Sequence, residues 1–390
     1  IILNILLITS FFNINLNVIF LSLFAISSLL LILRRKEIFL IINKKNIIKF
    51  SFFFIVCISI FISTAQTLKL EWDGFHWILK ALIFFNDTGI QTLKEVAIHP
   101  EYPHLGGYIW AFFWKNSALE LEYFGRLFYI YFYLISILTV FNLLNFKSEK
   151  LTFVLVFSII FITYDPYLFS GYQEYLIFST LLIAARFINL INFEKKKQYK
   201  KIFSILLIMS LLMWFKDEGM FYFLIFGTLL IFMSKNTLTV KGFLFLIIII
   251  TICIQYLLQK NIVGIYGFQS ELFSKEILER LLDIKLLTLK AINITKHLFI
   301  AFIKYPLWIM IIFSFLFINI FNKSKNILAR YFFYSFILNI LFIYAAYLHG
   351  PASDFILSVT LDRLMFQTSG FYLLLTVILL NKSKLQKINF

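Results

Sequence analysis

From its first residues the chain repeats one pattern: an apolar run long enough to cross a bilayer, then a short polar connection. In hydrocarbon no water is at hand for backbone N–H and C=O groups, so a run of about 20 apolar residues has one good solution, the α-helix. Such runs lie near residues 1–12, 17–33, 48–65, 126–146, 151–164, 175–193, 202–214, 220–233, 243–259, 305–321, 328–348 and 367–381. Of 390 residues, 61% are hydrophobic and 14% charged, where a soluble domain carries about 25% charged residues. A soluble fold and a disordered chain are both excluded. The expected fold is an all-α, polytopic transmembrane helix bundle of about 11 to 12 spans. Residues 1–390 should form a single transmembrane domain with juxtamembrane helices on its outer face.

Lys and Arg resist translocation and collect in short cytoplasmic loops. Here every second connection is basic: Arg34, Arg35, Lys36, Lys44 and Lys45, then Lys147 and Lys150, then the Lys195–Lys201 cluster, then Lys235 and Lys241, then Lys323 and Lys325, then Lys382, Lys384 and Lys387. Residue types not used in that division follow it. Of 20 acidic residues only Glu37, Glu149 and Glu194 fall on the basic side, and all five His fall on the other. The formal net charge of +16 therefore records topology, and implies membrane lipids as partners and no nucleic acid. The functional chemistry is expected to face outward, away from the basic side. All five Pro lie at or near outer ends of runs, unlike the midplane breaks of many transporters. Cys57 and Cys253 sit inside apolar runs and offer neither a disulfide framework nor a Cys-based metal site. The opening run has no basic n-region and no small-residue cleavage site, so no signal peptide is expected.

The longest outer segment, residues 67–123, exceeds ordinary connections, and loops of that size are usually functional. Glu71-Trp72-Asp73-Gly74-Phe75-His76-Trp77 leads into the apolar stretch Ile78 to Phe85, which reads as an interfacial helix with Trp72 and Trp77 at headgroup depth. His99-Pro100-Glu101-Tyr102-Pro103-His104-Leu105 is a rigid turn, and Tyr108 to Trp114 is a second short aromatic run. Asp73, His76, His99, Glu101 and His104 are expected to converge beneath this pair. Further on, Gly171-Tyr172-Gln173-Glu174-Tyr175 places Glu174 at the outer mouth of a run, and Lys216-Asp217-Glu218-Gly219 joins two runs almost directly. Charge held that tightly between apolar helices costs several kcal/mol if dry and unpaired, so such groups are functional candidates by default. Leu361-Asp362-Arg363-Leu364 precedes the last run. Within the outer segment 262–300, Leu278, Leu281, Leu282, Leu286 and Leu289 fall at helical spacing among charges. They predict an amphipathic helix that either gates entry to the outer face or simply covers helix ends.

These motifs, together with Phe124-Gly125-Arg126, resemble in order and spacing the bacterial multispan glycosyltransferases of the GT-C superfamily, of the protein mannosyltransferase and aminoarabinose transferase type. The resemblance covers about residues 67–370. It implies transfer of a sugar from a polyprenyl-phosphate-linked donor to a glycan, lipid or protein acceptor at the outer face. It also implies that Asp73 is the catalytic carboxylate of the first outer loop, as general base or metal contact, and Glu174 that of the second, where the family usually has Asp. His76, His99, Glu101, Tyr102, Lys216, Glu218 and Arg363 are then expected to bind substrate. The family's Lys-Asn-Glu-Gly appears here with Asp217 in place of Asn, which adds a negative charge.

Such a reaction needs a base for the acceptor hydroxyl and cations for the departing phosphate. Lys216, Arg363 and the histidines suit the second task, Arg as a planar fork and Lys as a point charge. Oxygen ligands such as Asp73 or Glu174 would suit Mg²⁺ or Mn²⁺, and the sequence leaves a metal requirement open. The same residues also have structural readings. Asp73 can be a helix N-cap, Glu174 and the Lys216–Glu218 group can be ion pairs closing the outer surface, Arg363 can pair with Asp362, and Tyr108 to Trp114 can be membrane belt. The main alternative function is a transporter or flippase of a lipid-linked or amphiphilic substrate; a noncatalytic membrane scaffold is a third.

Overall fold

The computed structural model describes residues 2–36, 44–66, 70, 73–96, 99–117, 121–143, 149–165, 171–262, 282–321, 327–349 and 353–382. The expectations for Glu71, Trp72, Leu278 and Leu281, and for much of the 262–300 segment, lie outside them. Among the described residues every regular element is helical and no strand occurs. In chain order these are α1 (Ile2–Thr9), α2 (Leu16–Leu33), α3 (Lys44–Gln66), α4 (Asp73–Phe85), α5 (Leu93–Val96), α6 (Leu105–Lys115), α7 (Tyr123–Leu143), α8 (Glu149–Thr163) and α9 (Glu174–Ile188). They continue as α10 (Tyr199–Met209), α11 (Leu212–Phe215), α12 (Glu218–Met233), α13 (Leu238–Ile262), α14 (Ile284–Lys304), α15 (Pro306–Phe321), α16 (Ile327–His349) and α17 (Asp354–Lys382).

Among the described residues six helices are long and apolar enough to cross a membrane: α2, α7, α13, α14, α16 and α17. Shorter apolar stretches lie in α3, α8, α12 and α15. Two of the expected runs take another form. The first is the 8-residue α1, which rises only about 12 Å. Its last turn closes with Thr9 Oγ1 and Ser10 Oγ donating to the carbonyls of Leu6 and Leu7. The run at 202–214 divides at Ser210, where Ser210 Oγ donates to the Leu207 carbonyl and α11 adds a single turn. Part of the segment expected on the outer surface forms α14, a 21-residue helix that is among those long and apolar enough to cross a membrane.

The helices pack as two compact units. The first comprises Ile1–Ile135, Asp165–Tyr175 and Gln259–Gly264, and its centre is the pair α4 and α6. These run side by side in the same sense, Gly107 against Lys80 and Ala81 at one level and Trp114 stacked on Phe85 at another. Trp77, Ala81 and Phe84 repeat at i, i+4, i+7 and are buried, as is every α6 residue from Leu105 to Phe112. The helices α1 and α2 also pack on α6, with Tyr108 donating to Thr9 Oγ1 at 3.2 Å. The aromatic rings read as interfacial therefore have protein partners: Trp77 is 1% exposed and Trp110 0%. Because α6 is enclosed on several sides, it buries its whole first two turns rather than a stripe.

The second unit comprises Ser136–Tyr164, Leu176–Leu258 and Ile265–Phe390. Its core helix is α17, whose apolar window is 89% buried and which packs against α14, α15 and α16. Three buried bonds tie polar groups of this interior together, Asn339 Nδ2 to Thr368 Oγ1 at 3.2 Å, Trp308 Nε1 to the Met365 carbonyl at 3.1 Å and Tyr331 OH to the Phe226 carbonyl at 3.0 Å, while both polar atoms of the Gln367 amide are buried without a partner. The helix α14 is joined to its neighbours by His297 with Asp354, Lys304 with Asp362, and Lys290 with the Leu348 carbonyl. In contrast, the apolar windows of α2 and α13 are 11% and 17% buried. In water such large exposed apolar surfaces would drive association; bilayer lipid covers them without cost.

Candidate functional site

The first residue of α4 is Asp73, and the helix face at i, i+3, i+7 carries Asp73, His76 and Lys80. Against that face lies the turn His99 to Pro103. The ring of His99 meets His76 edge-on with centroids 4.6 Å apart and stacks on Tyr102 at 4.8 Å. His99 Nδ1 lies 3.0 Å from Glu101 Oε1. Beneath them Lys80 is fully buried. Its ammonium donates to the Tyr102 carbonyl and sits 5.3 Å from the Trp77 ring and 5.8 Å from the Tyr102 ring. A carbonyl and two ring faces are the partners that let an ammonium leave water. The lysine thereby clamps the turn to α4.

The electrostatics follow from this packing. Burial, then the neighbouring His99, hold His76 below the ordinary imidazole range; Asp73 acts in the opposite sense, and Lys80 adds to the depression. The His76 Nδ1 is buried without a hydrogen-bond partner. His104, expected in the same group, has a different place. It is 5% exposed, its Nε2 lies 2.7 Å from Ser10 Oγ, and burial with the Lys80 charge pushes it down to about 3. It is a neutral tie between α1 and α6.

Glu174 opens α9 and is completely buried. Beside it, Gln173 Nε2 donates to Tyr129 OH and to the Gly171 carbonyl, both at 3.1 Å, and Tyr129 donates to the Gly106 carbonyl at 3.0 Å. Arg126 Nη2 donates to Glu122 Oε2 at 2.6 Å, with the guanidinium 5.7 Å from the Trp110 ring. Glycine makes these approaches possible. A Cβ on Gly171 (φ 109°) would fall 2.4 Å from the Trp110 ring, and one on Gly106 would overlap the Gln173 amide.

The remaining expected residues belong to the second unit. Lys216 pairs with Glu218 at 3.4 Å across the turn between α11 and α12. Lys216, Glu218 and Arg363 all lie within electrostatic reach of the Tyr347 hydroxyl, which hydrogen-bonds Thr360 Oγ1 at 2.6 Å. Asp362, the neighbour thought to compete for Arg363, pairs with Lys304. The structure thus brings together Asp73, His76, His99, Glu101 and Tyr102 in one unit, and Lys216, Glu218 and Arg363 in the other.

Sequence reasoning passed over Lys80, Tyr129 and Tyr347, and gave no role to Arg126 or Gln173. For Lys80 a signal existed, a lone charge inside the apolar stretch Ile78 to Phe85. Among the described residues no group of three or more His, Cys, Asp and Glu side chains is placed to hold a metal ion. A divalent ion would have to draw most of its ligands from a substrate phosphate and water.

Fold and composition define an all-helical membrane protein. The chain matches no protein-family model, no curated protein and no solved structure. Its function is therefore argued from its own side chains.

Proposed function

We propose that this protein is a glycosyltransferase of GT-C-like architecture, with about 11 to 12 spans. It would move a sugar from a polyprenyl-phosphate-linked donor to a glycan, lipid or protein acceptor at the periplasmic face of a bacterial inner membrane. The observation that carries the reading is the group formed by Asp73 and His76 on the short helix α4 and by His99 and Glu101 on the turn packed against it, over the buried Lys80. A carboxylate and imidazoles gathered on a helix too short to span, in a chain otherwise built for lipid, suit proton abstraction from an acceptor hydroxyl. Asp73 supplies the negative charge at that group.

Taken by itself, the second unit carries Lys216 and Arg363, a point charge and a planar fork of the kind that holds a phosphate group. The polyprenyl tail needs apolar surface open to the bilayer, which side chains such as Phe161, Phe299 and Phe313 provide in general form.

The test is reconstitution of the purified full chain in liposomes with a panel of polyprenyl-phosphate sugars and candidate acceptors. Transfer is expected from at least one donor and should fall in Asp73→Asn, which removes the negative charge acting on His76. Translocation of a labelled lipid-linked sugar without transfer would replace this reading with that of a flippase.

A further inference from the structure

Within the group on α4, one pair has the form of an oriented base. His99 Nδ1 and Glu101 Oε1 are 3.0 Å apart, and the two side chains differ in exposure, 39% for His99 against 11% for Glu101. An ionised carboxylate can only accept, so this contact places a proton on His99 Nδ1, and in the neutral ring the lone pair is then on Nε2. The imidazole is thus held by a sheltered carboxylate behind it while its other nitrogen remains available to a partner. Two rings fix the plane: Tyr102 stacked beneath at 4.8 Å and interplanar 14°, and His76 edge-on at 4.6 Å. Lys80 in turn fixes Tyr102 through its carbonyl. A nitrogen base oriented by a third group is the arrangement that activates hydroxyls on many unrelated folds.

We propose that His99 Nε2 is the atom that takes the acceptor's proton, and that Glu101 is its positioning residue. This deepens the transferase reading and rests on it. As the acceptor hydroxyl loses its proton to Nε2, its oxygen bonds the anomeric carbon of the sugar. The bond from that carbon to the phosphate oxygen breaks, and its electron pair leaves with the polyprenyl phosphate. The imidazolium so formed is stabilised by Glu101 and afterwards releases its proton to solvent. Asp73 contributes charge to the same group without receiving this proton, and the neutral His76 adds no competing positive charge at the moment of transfer.

Two measurements test the assignment. In the full chain labelled with ¹⁵N-histidine and held in lipid, nitrogen shifts report which ring atom of His99 is protonated. The expected form is Nδ1–H with Nε2 bare in the wild type, and loss of that preference in Glu101→Gln. A wild-type His99 protonated on Nε2 overturns the proposal without any assay of activity. In the liposome assay, with the polyprenyl-phosphate sugar that supports transfer, His99→Gly should lose about 10²- to 10⁴-fold and regain part of it when imidazole is added. Glu101→Gln should lower kcat while leaving KM for the donor in place. If wild type transfers but His99→Gly keeps its rate, or imidazole restores nothing while Asp73→Asn is inactive, this assignment fails and the transferase reading stands. If wild type uses no donor in the panel, the transferase reading fails and this one with it.

Discussion

His104 makes the packing of α1 on α6 sensitive to acid, and the size of the effect follows from its surroundings. The imidazole is buried, bonded to Ser10, and held down to about 3 against an ordinary value of 6.5. A histidine with a depressed folded-state value contributes stability that is complete above about pH 6.5 and is lost progressively as pH falls toward 3. At pH 5 almost every unfolded chain has bound this proton and almost no folded chain has. The difference is about 2 kcal/mol relative to pH 8, a factor of roughly thirty in the population of the locally open form, and about 3 kcal/mol at pH 4. The assay is hydrogen exchange of backbone amides in α1 and α6, with protection corrected for the intrinsic pH dependence of exchange. Wild-type protection should fall by about thirtyfold between pH 8 and pH 5. His104→Gln keeps an amide N–H within reach of Ser10 and cannot ionise, so its curve should be much flatter. Parallel decline in the two proteins would refute the reasoning, as would an NMR titration of His104 centred near its ordinary value.

Other outcomes can be checked independently. Lys80→Met removes the positive charge that helps depress His76, so the His76 titration midpoint should move up, read from its ¹³Cε1 resonance; an unmoved midpoint would show that the lysine acts only as a clamp. Gly219→Ala places a Cβ 2.0 Å from the Leu212 carbonyl oxygen, backbone that cannot step aside, and should cost about 1–3 kcal/mol. Gly242→Ala, where a Cβ meets nothing within 4 Å, should instead stabilise α13 by about 0.5–1 kcal/mol. Thermal unfolding of the two variants in one detergent therefore separates in sign, and equal shifts would contradict the tight approach of α11 to α12.

How far the sequence could be read depends on what each signal measures. Hydropathy and run length measure the cost of leaving water, and they placed α2, α13 and α16 close to their observed limits. They do not measure what covers an apolar face, because lipid tails and neighbouring side chains are equally apolar. Hydropathy accordingly puts Trp77 at headgroup depth and allows Tyr108 to Trp114 as membrane belt, whereas Trp77 and residues Tyr108 to Phe112 of that run are core. The histidines of the first long segment divided for a related reason. His76 on α4 meets His99 on the facing turn, whereas His104, in the same seven-residue motif as His99, has turned to Ser10, in the turn just after α1 and some ninety positions away. Spacing within a turn says which side chains are near in sequence, and only packing decides which wall each one faces.

The distinction was nevertheless written in the small residues. Gly107 and Ala111 stand at i, i+4 on α6, and both are buried. On α4, Gly74 and Ala81 stand at i, i+7, also buried. Small residues at such spacing let two backbones approach, and in lipid that approach is a principal source of helix association, since burial of apolar surface contributes little there. A Cβ at Gly107 would already sit 2.9 Å from Lys80 Cβ, so the contact between α4 and α6 exists because position 107 lacks a side chain. The same approach carries the Lys80 stem past α6 and brings its ammonium under the Tyr102 carbonyl, which holds the His99 turn against His76. The paired small residues therefore do more than mark a helix contact: the geometry of the candidate base group follows from them.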